Sequence, residues 1–84
     1  MIIRLEKIDH AKRQRRFYAL SVVPTLFGEW ALVREWGRIG AHGGQRKEEW
    51  HVSEAVALAE CERIKRQKER KGYITRPEQL SLPL

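Results

Sequence analysis

Apolar and polar residues alternate along the first 52 residues of the chain in the way that is typical of half-buried strands. Four segments carry this pattern and are enriched in β-branched or aromatic residues: 2–8, 15–23, 30–39 and 45–52. Within the second segment, alternation places Tyr18, Leu20 and Val22 on one face. The pattern therefore predicts a sheet with one face turned towards a core.

Turn-forming residues separate the last three of these segments. Pro24 and Gly28 flank the connection between the second and the third. Three glycines among residues 40–44 predict a turn that tolerates positive φ. Charged residues run through the fourth segment, which is typical of an edge strand.

The apolar spacing changes to a helical period after residue 52. Ser53 is placed to cap a helix, Glu54 lies in its first turn, and the helix is predicted to run to about Lys71, with Gly72 as the residue that ends it. One stripe of this helix is apolar: Ala57, Leu58, Cys61 and Ile64. The sequence thus predicts an α+β fold, a small antiparallel curved sheet of about four strands packed against one long C-terminal helix.

Length and charge narrow the possible functions. The 84 residues suffice for one domain, predicted over residues 1–74 and followed by a C-terminal tail, 75–84. Seventeen Lys and Arg against eleven Asp and Glu give a net charge of +6, which favours a polyanionic partner. The chain contains no apolar run long enough for a membrane span, and its single cysteine, Cys61, fits a cytoplasmic location.

Patterns typical of an enzyme are not apparent. Glu48 and Glu49 are adjacent on a strand, so they point to opposite faces and cannot act as an acid/base pair. The three histidines have no metal-ligand spacing with each other or with Cys61. A non-catalytic protein without a metal or a cofactor is therefore expected, and an enzyme is the more distant alternative.

One short segment combines aromatic and cationic residues. Residues 34–40 read Arg-Glu-Trp-Gly-Arg-Ile-Gly, and alternation places Arg34, Trp36 and Arg38 on one face. A tryptophan stacks on a base or sugar, and an arginine pairs with phosphate. Gly37 between them is expected to let the backbone approach a ligand. The two preceding apolar positions share this face, so either the face is partly apolar or a bulge redirects the motif.

Further cations are candidates for the same surface. They are Lys12, Arg13 and Arg16 before and within the second strand, and Arg46 and Lys47 in the fourth. Each has an alternative as ordinary solvated charge. The cations at the helix end, Lys68 among them, have glutamates interleaved and are expected to form a solvated helix face with i,i+4 pairs. Arg34 has a structural alternative, a cross-strand pair with Glu48 or Glu49, and Trp36 has one as a core residue.

These residues also carry a family resemblance over about residues 15–73. The segment around Trp36 resembles a WGR domain when it is taken together with four other motifs: RFY at 16–18, LFG at 26–28, GQ at 44–45 and KxxKGY at 68–73. WGR domains occur in DNA-break-sensing poly(ADP-ribose) polymerases and as small bacterial proteins or domains. In the polymerases the motif tryptophan packs on a terminal sugar and the motif arginine contacts the backbone.

The resemblance implies these roles for Trp36 and Arg38. The expected function is non-catalytic binding of duplex DNA, at ends or nicks, through backbone and sugar contacts. The alternative is a protein-interaction module that docks on a DNA-processing or regulatory partner through an exposed sheet edge.

Overall fold

Five antiparallel strands and one helix form the fold of residues 1–76, the part of the chain that the structure, a computed structural model, describes. The elements are β1 (Ile2–Asp9), β2 (Gln14–Pro24), β3 (Trp30–Arg38), β4 (Gln45–His51), α1 (Glu54–Arg70) and β5 (Ile74–Arg76). The strands lie in the order β4-β3-β2-β1-β5. The curved antiparallel sheet with one long helix confirms the predicted α+β fold.

The fifth strand was not predicted. It pairs with β1, with Thr75 opposite Leu5, and Arg76 Nε lies 3.1 Å from Glu6 Oε1. A strand of three residues is too short to show a period in the sequence. It takes up residues 75 and 76 of the predicted tail, and the rest of that tail, 77–84, lies outside the described residues.

The core lies between α1 and one face of the sheet. Its fully buried side chains, each at most 1% exposed, are Leu5, Leu20 and Leu32 from the sheet and Ala57, Cys61 and Ile64 from the helix. Tyr18 and Val22 are also buried, which confirms the predicted inner face of β2. Burying each large aliphatic side chain contributes about 1.5–3 kcal/mol, so these side chains hold the helix on the sheet.

Both ends of α1 are capped. Ser53 Oγ accepts the backbone N–H of Val56 at 3.2 Å. At the other end Gly72 has φ +98°, and the N–H groups of Tyr73 and Gly72 donate to the carbonyls of Lys68 and Glu69. This cap turns the chain back, so that Tyr73 packs against the core and β5 reaches β1.

The pairing of β2 with β3 is continuous. Arg16 lies opposite Arg38 and Tyr18 opposite Trp36, and the register runs unbroken to Pro24 opposite Trp30. The motif is therefore not redirected by a bulge. Its face is apolar where α1 covers it and becomes basic beyond the end of the helix. Among residues 1–76, no helix has both the length and the hydropathy needed to cross a membrane.

Candidate nucleic-acid interface

A concave basic pocket of about 900 Å³ lies where the C-terminal end of α1 meets β2 and β3. Seven of its lining residues are cationic: Arg13, Arg15, Arg16, Arg34, Arg38, Lys47 and Lys68. Among the described residues that line it, none is Asp or Glu. We call this site the basic pocket. Cations at this density attract a polyanion.

Two aromatic rings stand side by side in the basic pocket. Tyr18 and Trp36 are cross-strand partners whose ring centroids lie 5.4 Å apart, with planes inclined by 13°. Tyr73 meets Tyr18 edge-on at 6.5 Å. Trp36 packs against the core yet stays partly exposed and lines the pocket, so the two sequence alternatives each describe part of its position. The stack orients the indole before any ligand arrives.

The cations at the mouth of the pocket are exposed. Arg16 and Arg38 lie opposite each other across β2 and β3, with Arg13 in the preceding turn. Within residues 1–76, none of these three forms an ion pair with a carboxylate. They are therefore available to an external anion.

Arg34 is held by a carboxylate instead. Its Nη2 donates to Glu49 Oε2 at 2.8 Å, and Lys47 Nζ lies 3.5 Å from the same oxygen. Burial favours a higher pKa for Glu49, but the hydrogen bond and charge of Arg34, with Lys47, outweigh it and lower that pKa. The cross-strand pair with Glu49, one of the two sequence alternatives, is confirmed. Arg34 therefore contributes less free charge than Arg16 or Arg38.

Most predicted site residues meet in the basic pocket, but two do not. The ones brought together are Arg13, Arg16, Arg34, Trp36, Gly37, Arg38 and Lys47. Arg46 is opposite Glu35 on the other face of the sheet, and its guanidinium lies 3.1 Å from Glu48. Lys12 lies in the β1–β2 turn, where its N–H donates to Asp9, and it does not line the pocket.

Close packing leaves little room for a side chain at Gly37, which the sequence did not indicate. A Cβ at Gly37 would lie 3.3 Å from Gly44 Cα and 3.4 Å from the ring of Phe17. A Cβ at Gly44 would lie only 2.8 Å from the carbonyl oxygen of Trp36. The two glycines thus allow the β3–β4 turn to close against the strand that carries the motif.

Lys68 is the main functional candidate that the sequence interpretation missed. Its Nζ lies 4.4 Å from the ring centroid of Tyr18 and 5.7 Å from that of Tyr73. Burial, followed by the positive charges of Lys71 and Arg34, lowers its pKa. The interpretation of Lys68 as part of a solvated helix face was wrong, because Lys68 is half-buried and follows the buried positions of α1 by one turn. The spacing 57, 61, 64, 68 was the available signal.

Other cations of α1 follow the expected surface pattern. Arg63 pairs with Glu60 at 2.6 Å, and Arg66 lies 3.4 Å from Glu62. These pairs neutralise part of the helix charge. Five cations of the basic pocket have no carboxylate partner within residues 1–76: Arg13, Arg15, Arg16, Arg38 and Lys68. Within residues 1–76, no cluster of three or more His, Cys, Asp or Glu side chains is placed to hold a metal ion.

Comparison with known proteins gives a family for this arrangement. The family model described as WGR domain matches residues 1–79. An uncharacterized protein of Sinorhizobium fredii, y4dW, is 37% identical over 79 residues, which cover 94% of this chain and 37% of that protein. The chain therefore spans just over a third of the length of this relative. No solved structure gives a significant match.

Proposed function

Since the chain belongs to the WGR domain family, a family of nucleic-acid-binding modules that are generally non-catalytic on their own, we propose that it binds the ends or nicks of duplex DNA. The observation that carries this proposal is the basic pocket, where seven cations surround a stacked Tyr18–Trp36 pair. Cations bind the phosphate backbone, and an aromatic surface contacts sugars and bases without reading sequence.

Each part of the basic pocket has a role in this proposal. Arg38, Arg16 and Arg13 lie at the exposed mouth and bind backbone phosphates. Trp36 packs against the terminal sugar or base. Lys68, on the aromatic floor, binds the phosphate that enters furthest. Because these contacts go to phosphate and sugar, the affinity falls steeply with salt and depends little on base sequence.

The size of the pocket favours an end over an uninterrupted duplex. Its volume of about 900 Å³ is at the upper end of small-molecule pockets, which run to about 1,000 Å³. A concavity of this size admits a terminal nucleotide, whereas an uninterrupted duplex would contact only its open side. The end of α1 and Tyr73 close one side of this space, while Arg13 and Arg16 extend the positive surface outwards.

The test compares two DNAs of the same stem sequence by fluorescence anisotropy at low salt. One is a hairpin with one free end, and the other is a dumbbell closed at both ends. We expect the hairpin to bind about tenfold more tightly, a difference of about 1.4 kcal/mol. Equal affinities would remove the end preference, and no binding to either DNA would overturn the nucleic-acid function.

Two arginine variants locate the binding surface in the same assay. Arg38→Gln removes an unpaired cation from the basic pocket, whereas Arg46→Gln removes one cation from the opposite face. We expect Arg38→Gln to weaken hairpin binding about tenfold, as for loss of a charge-assisted contact, and Arg46→Gln to change it less than twofold. The reverse order would place the DNA on the other face.

A further inference from the structure

Large apolar side chains are exposed at the end of the sheet opposite the basic pocket. They lie in the β2–β3 turn and at the ends of β2 and β4, and we call them the apolar end patch: Val23 (41% exposed), Leu26 (98%), Phe27 (76%), Trp50 (49%) and Val52 (80%). Exposed apolar side chains gathered at one end of a domain are candidates for an interaction surface.

Defined contacts hold the side chains of the apolar end patch in place. The rings of Phe27 and Trp50 stack with centroids 6.1 Å apart, and the Trp50 indole N–H donates to Glu48 at 3.0 Å. Thr25 Oγ1 accepts the N–H groups of Phe27 and Glu29, each at 3.2 Å, which closes the turn. The two aromatic rings are thus held towards solvent in one arrangement, as binding anchors are.

Acidic residues border the apolar end patch. Glu29 follows Phe27 by two positions, Glu48 accepts from Trp50, and Glu54 begins α1 two residues after Val52. Within residues 1–76, neither Glu29 nor Glu54 forms an ion pair. Glu48 is paired with Arg46, and the Met1 ammonium donates to the Val22 carbonyl at 3.2 Å, so Glu29 and Glu54 supply the unpaired negative charge at this end.

We propose that the apolar end patch docks a segment of another protein that carries aliphatic or aromatic side chains flanked by lysine or arginine. The apolar side chains of that segment pack on Phe27 and Trp50, and its cations meet Glu29 and Glu54. A nucleic acid is disfavoured here because the bordering charges repel phosphate. A symmetric pair of copies is disfavoured because each acidic border would face its equivalent.

The two surfaces do not overlap. On β2 the basic pocket ends at Tyr18 and the apolar end patch begins at Val23, five residues further, which is roughly 16 Å at about 3.3 Å per residue. A segment bound at the patch leaves the pocket open. The proposal does not depend on DNA binding, but if both hold, the domain joins a DNA end to a protein partner.

Selection from a library of random twelve-residue peptides tests the proposal on the full chain. We expect enrichment of peptides with apolar positions flanked by lysine or arginine, and loss of that enrichment on Phe27→Ser and Leu26→Ser. Both side chains are largely exposed, so the variants should fold, which thermal unfolding checks. No Phe27-dependent enrichment, or enrichment of acidic peptides, overturns the proposal.

The best peptide is then measured by isothermal titration calorimetry. Glu29→Lys should weaken peptide binding at least fivefold, and added salt should weaken peptide binding to the wild-type protein. Arg38→Gln should leave the Kd of the peptide unchanged. Sedimentation of the free protein tests self-association. A dimer that Phe27→Ser abolishes overturns the proposal in favour of a second copy. If Phe27→Ser lowers the affinity for hairpin DNA as much as Arg38→Gln does, the apolar end patch belongs to the DNA-binding surface and the proposal also fails.

Discussion

Replacing Lys68 by methionine removes the cation at the floor of the basic pocket and keeps most of the side-chain volume. In the free protein this ammonium lies against the rings of Tyr18 and Tyr73, and no carboxylate pairs with it within residues 1–76. Burial and the charges of Lys71 and Arg34 lower its pKa. We therefore expect Lys68→Met to leave the free energy of unfolding unchanged or to raise it, because a disfavoured charge is lost.

The same variant should bind hairpin DNA about tenfold more weakly, the effect of losing a contact of about 1.4 kcal/mol. If Lys68 neutralises one phosphate, the slope of log K against log salt should become shallower by about 0.9. The assay is fluorescence anisotropy at several salt concentrations. Lys65→Met is the matched control on the same helix, because Lys65 Nζ lies near Glu62 instead of lining the pocket.

The pH dependence supplies a second readout for Lys68. DNA binds the protonated amine, so wild-type affinity should fall as the pH rises through the lowered pKa of Lys68 in the free protein. Stability should change in the opposite sense. The folded protein disfavours the charged amine, so the penalty is present below the folded pKa and disappears as the pH rises towards the unfolded value, 10.5. Lys68→Met should lack both effects.

Two results would refute this reasoning. One is an equal loss of affinity in Lys68→Met and Lys65→Met, which would show a general effect of net charge. The other is an unchanged salt slope in Lys68→Met, which would show that the ammonium does not neutralise a phosphate. A lower melting temperature for Lys68→Met would count separately against the destabilising effect assigned to its charge.

Three further predictions concern the frame that holds the basic pocket. The pKa of Glu49 is lowered in the folded protein, so its contribution to stability is present above the unfolded pKa of 4.5 and is lost as the pH falls through the folded pKa. Glu49→Gln should therefore flatten the acid limb of a curve of Tm against pH. An unchanged limb would contradict this prediction. Gly44→Ala places a Cβ 2.8 Å from the carbonyl oxygen of Trp36, and chemical denaturation should show a loss of about 1–3 kcal/mol, with no loss meaning that the turn shifts freely. Ser53→Ala removes the cap on Val56 N–H, and the same measurement should show a loss of about 1 kcal/mol, against none if solvent replaces the cap.

Several parts of the candidate site followed from local pattern. Alternation placed Arg34, Trp36 and Arg38 on one face, and the unbroken β2–β3 register preserves that relation. Alternation also separates Arg46 from Lys47, but it does not say which of them joins Trp36. The β3–β4 register decides this, since it sets Trp36 opposite Gln45 and Arg34 opposite Lys47. The turn that closes at Gly44 sets that register, and a sequence pattern does not contain it.

The sequence by itself determined the four longer strands, the capped helix, the apolar stripe of that helix and the shared face of the motif. Each depends on a period or a cap that lies within a few neighbouring residues. Tertiary structure alone decided the short strand β5, the place of Lys68 over Tyr18, and the ion pair that occupies Arg34. The first two depend on how α1 and its C-terminal cap lie on the sheet, and the ion pair depends on the β3–β4 register. Burial and charge then act between residues far apart in the chain, and local periodicity carries no information about such distances.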